Sequence, residues 1–507
     1  MLAPDYLDHT PDRLILLWQQ AEDDILRDVA RRIGKMDALT PTANWQLWRY
    51  QQTEAVRKDV VKLLARYTGK SEAEIRRLMQ EAATAALEAE DEIYYHYGKE
   101  PTPFEESTPL QNLLNAGYRQ TAGSFSNLTA TTANTVSGAF EQALDRAWLQ
   151  VSSGAFDYKT AVKRAVDGLA DSMPYVTYPS GHRDTLEVSC RRAVLTGVNQ
   201  TGAKLQEARM DEMGASFVEV TAHGGARPSH AVWQGRRYHR GGAVDYLGQH
   251  YEDFESATGY GTGAGLCGWN CRHTFFVVFP ELGSLPAWTQ ESLEALNARD
   301  IEYDGRLYTR YEISQMQRAR ERAVRKWKRR YLAEDAAGAD TTASAMKLRQ
   351  ARQSLADFTR ATGGRVDSAR TSVHGFGRSA SSKASYAARK QERFNAANTE
   401  LQQMREAGTI KAKGRLIESP SAPNEINFES DHVLQRWAER GMGPMDAERI
   451  IRSSKVAMSQ RNGTQTCYYS ELGFVAIGQD GNVSSIGPLD EGGKKLMEVV
   501  KKHGIPH

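Results

Sequence analysis

Thr10-Pro-Asp-Arg-Leu-Ile-Leu-Leu-Trp18-Gln-Gln-Ala-Glu-Asp-Asp-Ile25-Leu-Arg-Asp-Val29-Ala-Arg-Arg-Ile33-Gly34 sets the fold class. Thr10-Pro11-Asp12 supplies a hydroxyl cap, a proline at the first helical position and an acid at the positive helix end. Leu14, Leu17, Ala21, Ile25, Val29 and Ile33 recur every three or four residues, which predicts an amphipathic helix stopped by Gly34. Trp45, Trp48, Val56, Val60, Leu64 and Tyr67 repeat the pattern as far as Gly69. Ser71 with Glu74 reads as a capping box that opens a third helix through Ile75 and Leu78, ending near Gly98. Such stripes mean core packing between helices or a docking face for a large partner. Residues 104–213 continue helical but rich in Thr, Ser, Asn and Ala. Asn127-Leu-Thr-Ala-Thr-Thr132, a poor helix former, is there either a loop or a close small-residue contact.

Composition bounds the rest. The chain has 507 residues, enough for about three domains. With 40% hydrophobic and 25% charged residues it can bury real cores. A net charge of +2 excludes a globally basic nucleic-acid coat but not local basic segments. No window approaches a membrane span, and Met1-Leu-Ala-Pro-Asp5 has no basic stretch leading into an apolar run, so neither a membrane nor a signal peptide is expected. Cys190, Cys267, Cys271 and Cys467 are too few and scattered for a disulfide framework, which fits synthesis in a reducing cytosol.

After Gly214 the text changes. Phe217-Val-Glu-Val-Thr221 predicts a short strand, and Phe275-Phe-Val-Val-Phe279 another, ended by Pro280. Between them lie two blocks dense in Gly, His and Arg: Ala222 to Gly235, and Thr258 to His273. Gly261-x-Gly263-x-Gly265 has no strand before it and no helix after it, so it is a turn and not a dinucleotide fingerprint. His223, His230, Cys267, Cys271 and His273 offer five ligands, enough for tetrahedral zinc, the one cofactor the residues suggest. The competing reading is a Gly-rich loop cluster pinned by His and Arg hydrogen bonds around two buried thiols. A nucleophilic dyad of Cys267 or Cys271 with His230 has no visible oxyanion-hole context.

These blocks resemble a known family, the phage minor capsid proteins related to the F head-morphogenesis protein of phage Mu. The resemblance rests on Tyr178-Pro-Ser-Gly-His182, Arg191-Arg-Ala-Val-Leu-Thr-Gly197, Gly225-Ala-Arg-Pro-Ser-His230 through Trp233-Gln-Gly235, and Cys267-Gly-Trp-Asn-Cys-Arg-His273. Tyr311-Glu-Ile-Ser-Gln-Met-Gln-Arg318 and the basic helix after it extend it to roughly residues 5–360. It implies a structural component of the virion head, present in few copies and associated with the portal.

From Tyr311 to Tyr331 an apolar stripe of Ile313, Met316, Val324, Trp327 and Tyr331 faces a basic surface that includes Arg325, Lys326, Arg329 and Arg330. Two readings stand: a solvated face, or a surface that neutralises phosphates of packaged DNA. Residues 332–400 lose apolar content, and the part from Gly375 to Ser385 reads as a flexible linker. Beyond it, Asp431-His432 to Arg440-Gly441 predicts a helix with His432, Arg436 and Arg440 on one face. Pro444 to Ser453 is a second helix, and Phe474-Val-Ala-Ile477 with Val483-Ser-Ser-Ile486 forms a hairpin around Asp480-Gly481. This arrangement resembles the small toxin-like ribonucleases grouped with barnase, the tRNA-cleaving colicins and RelE. The resemblance implies His432 as acid/base, Arg440 and Arg436 as phosphate clamp, and Tyr469 or Ser484 as a second polar contact, acting on RNA without metal. The alternative is a small domain that only folds or binds.

The expected architecture is mainly α with α+β. A helical N-terminal region (1–150) precedes a small α+β Mu F-like middle domain (151–285), a basic helical extension and flexible linker (286–404), and a small α+β C-terminal domain (405–507). The expected function is a non-enzymatic minor capsid protein, with a delivery module for a C-terminal endoribonuclease as alternative. Its expected partners are portal protein and other capsid proteins, with packaged DNA and RNA as conditional ones. It is expected in the host cytoplasm during assembly and then in the virion head near the portal.

Overall fold

The computed structural model describes residues 2–36, 42–172, 175–178, 181–421, 426–428 and 441–506. They form two compact units, Met1–Ser381 and Ser382–His507. The first is built on long helices: α1 (Asp12–Gly34), α2 (Thr42–His96), α3 (Thr108–Ser152), α4 (Tyr158–Ser172) and α5 (Leu186–Met213). They share one core, in which Trp18, Phe125, Phe140, Val166 and Leu195 are buried. The strands β1 (Phe217–Val220), β2 (Arg237–His239) and β3 (Phe275–Val277) form an antiparallel sheet in the order β2-β1-β3. Its apolar face packs on Tyr94 of α2 and Met210 of α5. The helices α6 (Arg310–Ala336) and α7 (Thr342–Thr362) then pack against each other; the Thr309–Glu312 capping box starts α6. Among the described residues no helix is long and apolar enough to cross a membrane.

The second unit contains α8 (Arg378–Glu406) from Ser382 onward, the strands β4 (Arg415–Glu418), β5 (Val456–Gln460), β6 (Gln465–Ser470), β7 (Gly473–Gly478) and β8 (Val483–Gly487), and the helices α9 (Pro444–Ser453) and α10 (Glu491–Lys502). The five strands form an antiparallel meander in chain order. Alternation along the strands gives the sheet two apolar faces. One packs on Phe394 and Leu401 of α8 with Leu496 and Val500 of α10, the other on Ile450 and Ile451 of α9. The predicted hairpin and second helix are both present, with a bulge between Ala476 and Ile477.

Three local expectations are corrected and one open choice is settled. Thr10 does not cap α1: its hydroxyl donates to the Tyr6 carbonyl of a preceding turn of helix, Pro4–His9. Gly69 does not end a helix, and Ser71 does not begin one. α2 runs through both, with the Ser71 hydroxyl donating to the Tyr67 carbonyl (2.8 Å) and accepting the Trp18 indole N–H (2.9 Å). That buried bond and the packing on either side outweigh the roughly 1 kcal/mol cost of a mid-helix glycine. Residues 375–385 are not a flexible linker throughout, because α8 begins at Arg378 and its small residues Ala384 and Ala388 are buried. The Asn127–Thr132 stretch lies within α3 and is not a loop.

The small residues of α3 have a packing reason. Gly117 lies against the Thr201 side chain of α5, and Gly197 of α5 lies against Thr121 of α3, so a Cβ at either glycine would overlap the threonine hydroxyl. This reciprocal pair sets how closely the two helices approach. Gly117→Ala and Gly197→Ala should each destabilise the protein by about 1–3 kcal/mol. Gly123→Ala, on the same helix but facing open space, should instead add up to about 1 kcal/mol. Thermal unfolding followed by circular dichroism distinguishes the three; equal effects at all three sites would remove the close-approach explanation.

Candidate metal centre

The middle sheet brings the Gly-rich blocks together. His230 comes from the short helix Pro228–Ala231 that follows β1, and Cys271 and His273 come from the segment that enters β3. Their ligand atoms converge: His230 Nδ1 to His273 Nδ1 is 3.4 Å, Cys271 Sγ to His230 Nδ1 is 3.7 Å, and Cys271 Sγ to His273 Nδ1 is 3.6 Å. All three residues are buried. Cys267 is close by, with its thiol and that of Cys271 both directed at the His273 carbonyl (3.6 and 3.8 Å). A positive φ at Cys267 (57°), uncommon for a residue with a Cβ, shapes the turn that holds it there. Of the five residues predicted as ligands, three converge, Cys267 lies beside them, and His223 points elsewhere. Its ring stacks on His273 (centroids 4.4 Å, 27° between planes) and its Nδ1 faces the Gly224 carbonyl.

The tautomers follow from fixed partners. Gln234 Oε1 accepts the backbone N–H of His223 (3.1 Å), which identifies that atom as the amide oxygen. His273 Nε2 lies 3.0 Å from the same oxygen and must therefore donate to it. His230 Nε2 likewise donates to the Ala264 carbonyl (2.9 Å). In the neutral rings both Nδ1 atoms then carry bare lone pairs, and they face each other. Burial pushes His230 down to about 4 and His273 well below its ordinary value, so both are neutral at pH 7. Burial raises the Cys267 and Cys271 thiols. Both thiols are 2% exposed and burial disfavours their thiolates, which argues against a Cys–His nucleophile for a solvent-borne substrate.

Sequence reading missed two supports. Gln234 orients His273, and Asn199 of α5 donates to the carbonyls of both Cys271 and His273 (3.0 Å each). Gln234 stood inside a quoted block without a spacing rule to mark it. Asn199 lies too far away in sequence to give any local signal.

The basic surface of α6 is also corrected. Arg329 is buried against Glu22 and Asp23 of α1, with Nε 2.7 Å from Asp23 Oδ1. Arg325 pairs with Glu187, and Arg330 with Asp167, Asp171 and Glu334. Lys326 pairs with Asp171 (3.0 Å) and is the exposed member of the four. Of the four cations singled out, the guanidiniums of Arg325, Arg329 and Arg330 neutralise carboxylates of the surrounding helices, and Lys326 is left at the surface.

In the second unit, His432, Arg436 and Arg440 lie outside the described residues. Tyr469 is a core side chain, 7% exposed and packed near Phe474, so it is not free to touch a substrate. Ser484 is exposed, with its hydroxyl accepting from Gln465 and donating to the Ala476 carbonyl.

The family model described as Phage minor capsid protein 2 matches residues 2–360. No curated protein and no solved structure matches.

The ion pairs of α6 separate a structural role from a surface one. Arg329→Ala leaves two buried carboxylates unpaired and should cost about 3–5 kcal/mol. Lys326→Ala, at an exposed pair, should change stability by no more than about 1 kcal/mol. Denaturant titration of the two variants measures the difference; a mild Arg329→Ala would mean that water reaches those carboxylates.

Proposed function

We propose, from the premise that the chain belongs to the phage minor capsid protein 2 family, that it acts as a structural head protein docked on the portal. The observation that carries the docking is a set of three exposed apolar side chains on one side of α2, with Glu54 and Lys58 among them. Leu47, Tyr50 and Val61 are 60%, 65% and 45% exposed. At 3.6 residues per turn they fall within about 60° of one another on the helix. Large apolar side chains lined up on an exposed helix mark an interaction surface. Co-expression of the full chain with its phage's portal protein tests this. The two should co-elute in size-exclusion chromatography, and Tyr50→Asp combined with Val61→Asp should weaken the association about tenfold or more. A chain that never co-elutes at any salt concentration refutes portal docking.

A second reading concerns Ser382–His507. The family match ends at residue 360, and this unit has its own two-faced sheet core beyond it. That independence supports an appended payload, and the toxin-like resemblance makes it a metal-independent ribonuclease. His432 would take the 2′-hydroxyl proton while Arg436 and Arg440 hold the phosphate. Residues 382–507 should cleave RNA without added metal and slow cell growth, and His432→Ala or Arg440→Ala should abolish both effects. A folded unit that leaves total RNA and tRNA intact refutes the nuclease reading and leaves the capsid role untouched.

A further inference from the structure

We propose that the middle domain holds a structural zinc ion, bound by His230 Nδ1, His273 Nδ1 and the Cys271 thiolate, with the Cys267 thiolate as fourth ligand. The proposal rests on neither the family match nor the docking reading.

The separations are those of a coordination polyhedron. Zinc bonds of about 2.0–2.1 Å to nitrogen and 2.3 Å to sulfur at tetrahedral angles place N···N edges near 3.3 Å and S···N edges near 3.6 Å. The observed edges are 3.4, 3.6 and 3.7 Å. As hydrogen bonds the same contacts are poor. The N–H of each ring is already used on Gln234 or Ala264, so two lone pairs meet across 3.4 Å with a single thiol proton available to them. A cation bound by both nitrogens removes that conflict. The outer contacts fit as well, since metal-bound histidines almost always donate their second ring N–H to a carbonyl or carboxylate, which fixes the tautomer. Here a backbone carbonyl and an amide oxygen do so, and Asn199 restrains the backbone on both sides of Arg272.

Charge selects the fourth ligand. A dication with one thiolate would leave a buried net charge beside Arg227 and Arg272, both of which act on this cluster. Two thiolates make the centre neutral, which a dry site requires. Cys267 is the nearby donor, buried and with its thiol at the same carbonyl as that of Cys271; its sulfur stands outside the three converging ligands, so ligation would need its side chain to turn toward them. On binding, Zn²⁺ replaces the two thiol protons, which leave to solvent, and no electrons change hands. Mixed imidazole and thiolate donors at a tetrahedral vertex set favour zinc among the common divalent ions. Its effect would be to tie the Pro228–Ala231 helix and the glycine-rich 259–273 loop onto the sheet.

Full-length protein purified without chelators should contain about one equivalent of zinc. Cys271→Ser and His273→Ala should each lose it. For wild type alone, prolonged chelation should lower the thermal midpoint and added zinc should restore it, a readout that needs no variant to fold. Cobalt(II) loaded in place of zinc should show a tetrahedral visible spectrum with a thiolate charge-transfer band, and Cys267→Ser should lose about half of that band while still binding metal. Wild type that contains no zinc and takes up no cobalt overturns the site. Zinc that survives Cys271→Ser places the metal elsewhere and overturns it too. An unchanged cobalt band in Cys267→Ser overturns the fourth ligand.

Discussion

Arg329 sits between Glu22 and Asp23 in the interior of the first unit, and much of the helical body is organised around that cluster. Glu22 also accepts the backbone N–H of Leu186, the first residue of α5, and Asp23 accepts the N–H of His374. One group of three charged side chains therefore ties α1 to α5, α6 and the segment after α7, across some three hundred positions of sequence. Burial raises the Glu22 carboxyl, with Arg329 and Arg325 opposing that rise. Removing charges from water is costly, and the geometry offsets it only while every partner is present. A cluster of this kind contributes less to net stability than to register, because α6 can lie on α1 in one position only.

The fate of the other α6 cations follows from the same constraint. Arg325 and Arg330 neutralise acids on α4, α5 and their own helix, so a run that reads as a basic face becomes an internal electrostatic seam. Charge along one helix cannot reveal this, because the acids that consume it come from distant segments. Apolar periodicity was legible: α1 and α6 lie where their stripes put them, α9 spans the expected Pro444–Ser453, and the strands around Phe217 and Phe275 were visible as short apolar runs. Boundaries that depend on tertiary contact were not. Ser71 carries a start signal, yet the Trp18 indole holds it inside a continuous helix. For the candidate centre, sequence supplied five donor residues, and the fold separated three that converge from one neighbour and one that stacks.

Residues 2–360, the part shared with other minor capsid proteins, end close to the end of α7. The helical body, the small sheet and the α6–α7 pair all fall inside that span. The five-stranded unit falls outside it and keeps its own core, so a change in one unit need not disturb the folding of the other. This division suits a head protein whose assembly surfaces and appended domain answer to different selective demands.

α2 has 55 residues and so measures about 80 Å at 1.5 Å per residue. A rod of that aspect ratio behaves mechanically as a column, and columns fail by buckling at their softest section. Gly69 is that section, since nothing lies within 4 Å of where its Cβ would be. Two residues on, the buried indole of Trp18 braces the column laterally through Ser71. Bending there must break a solvent-shielded hydrogen bond as well as straighten a helix turn. Buried side chains on either side of the glycine, Leu64 and Tyr67 before it and Ile75 and Leu78 after it, hold the rod against the rest of the unit, so its straightness does not depend on the glycine's own stiffness.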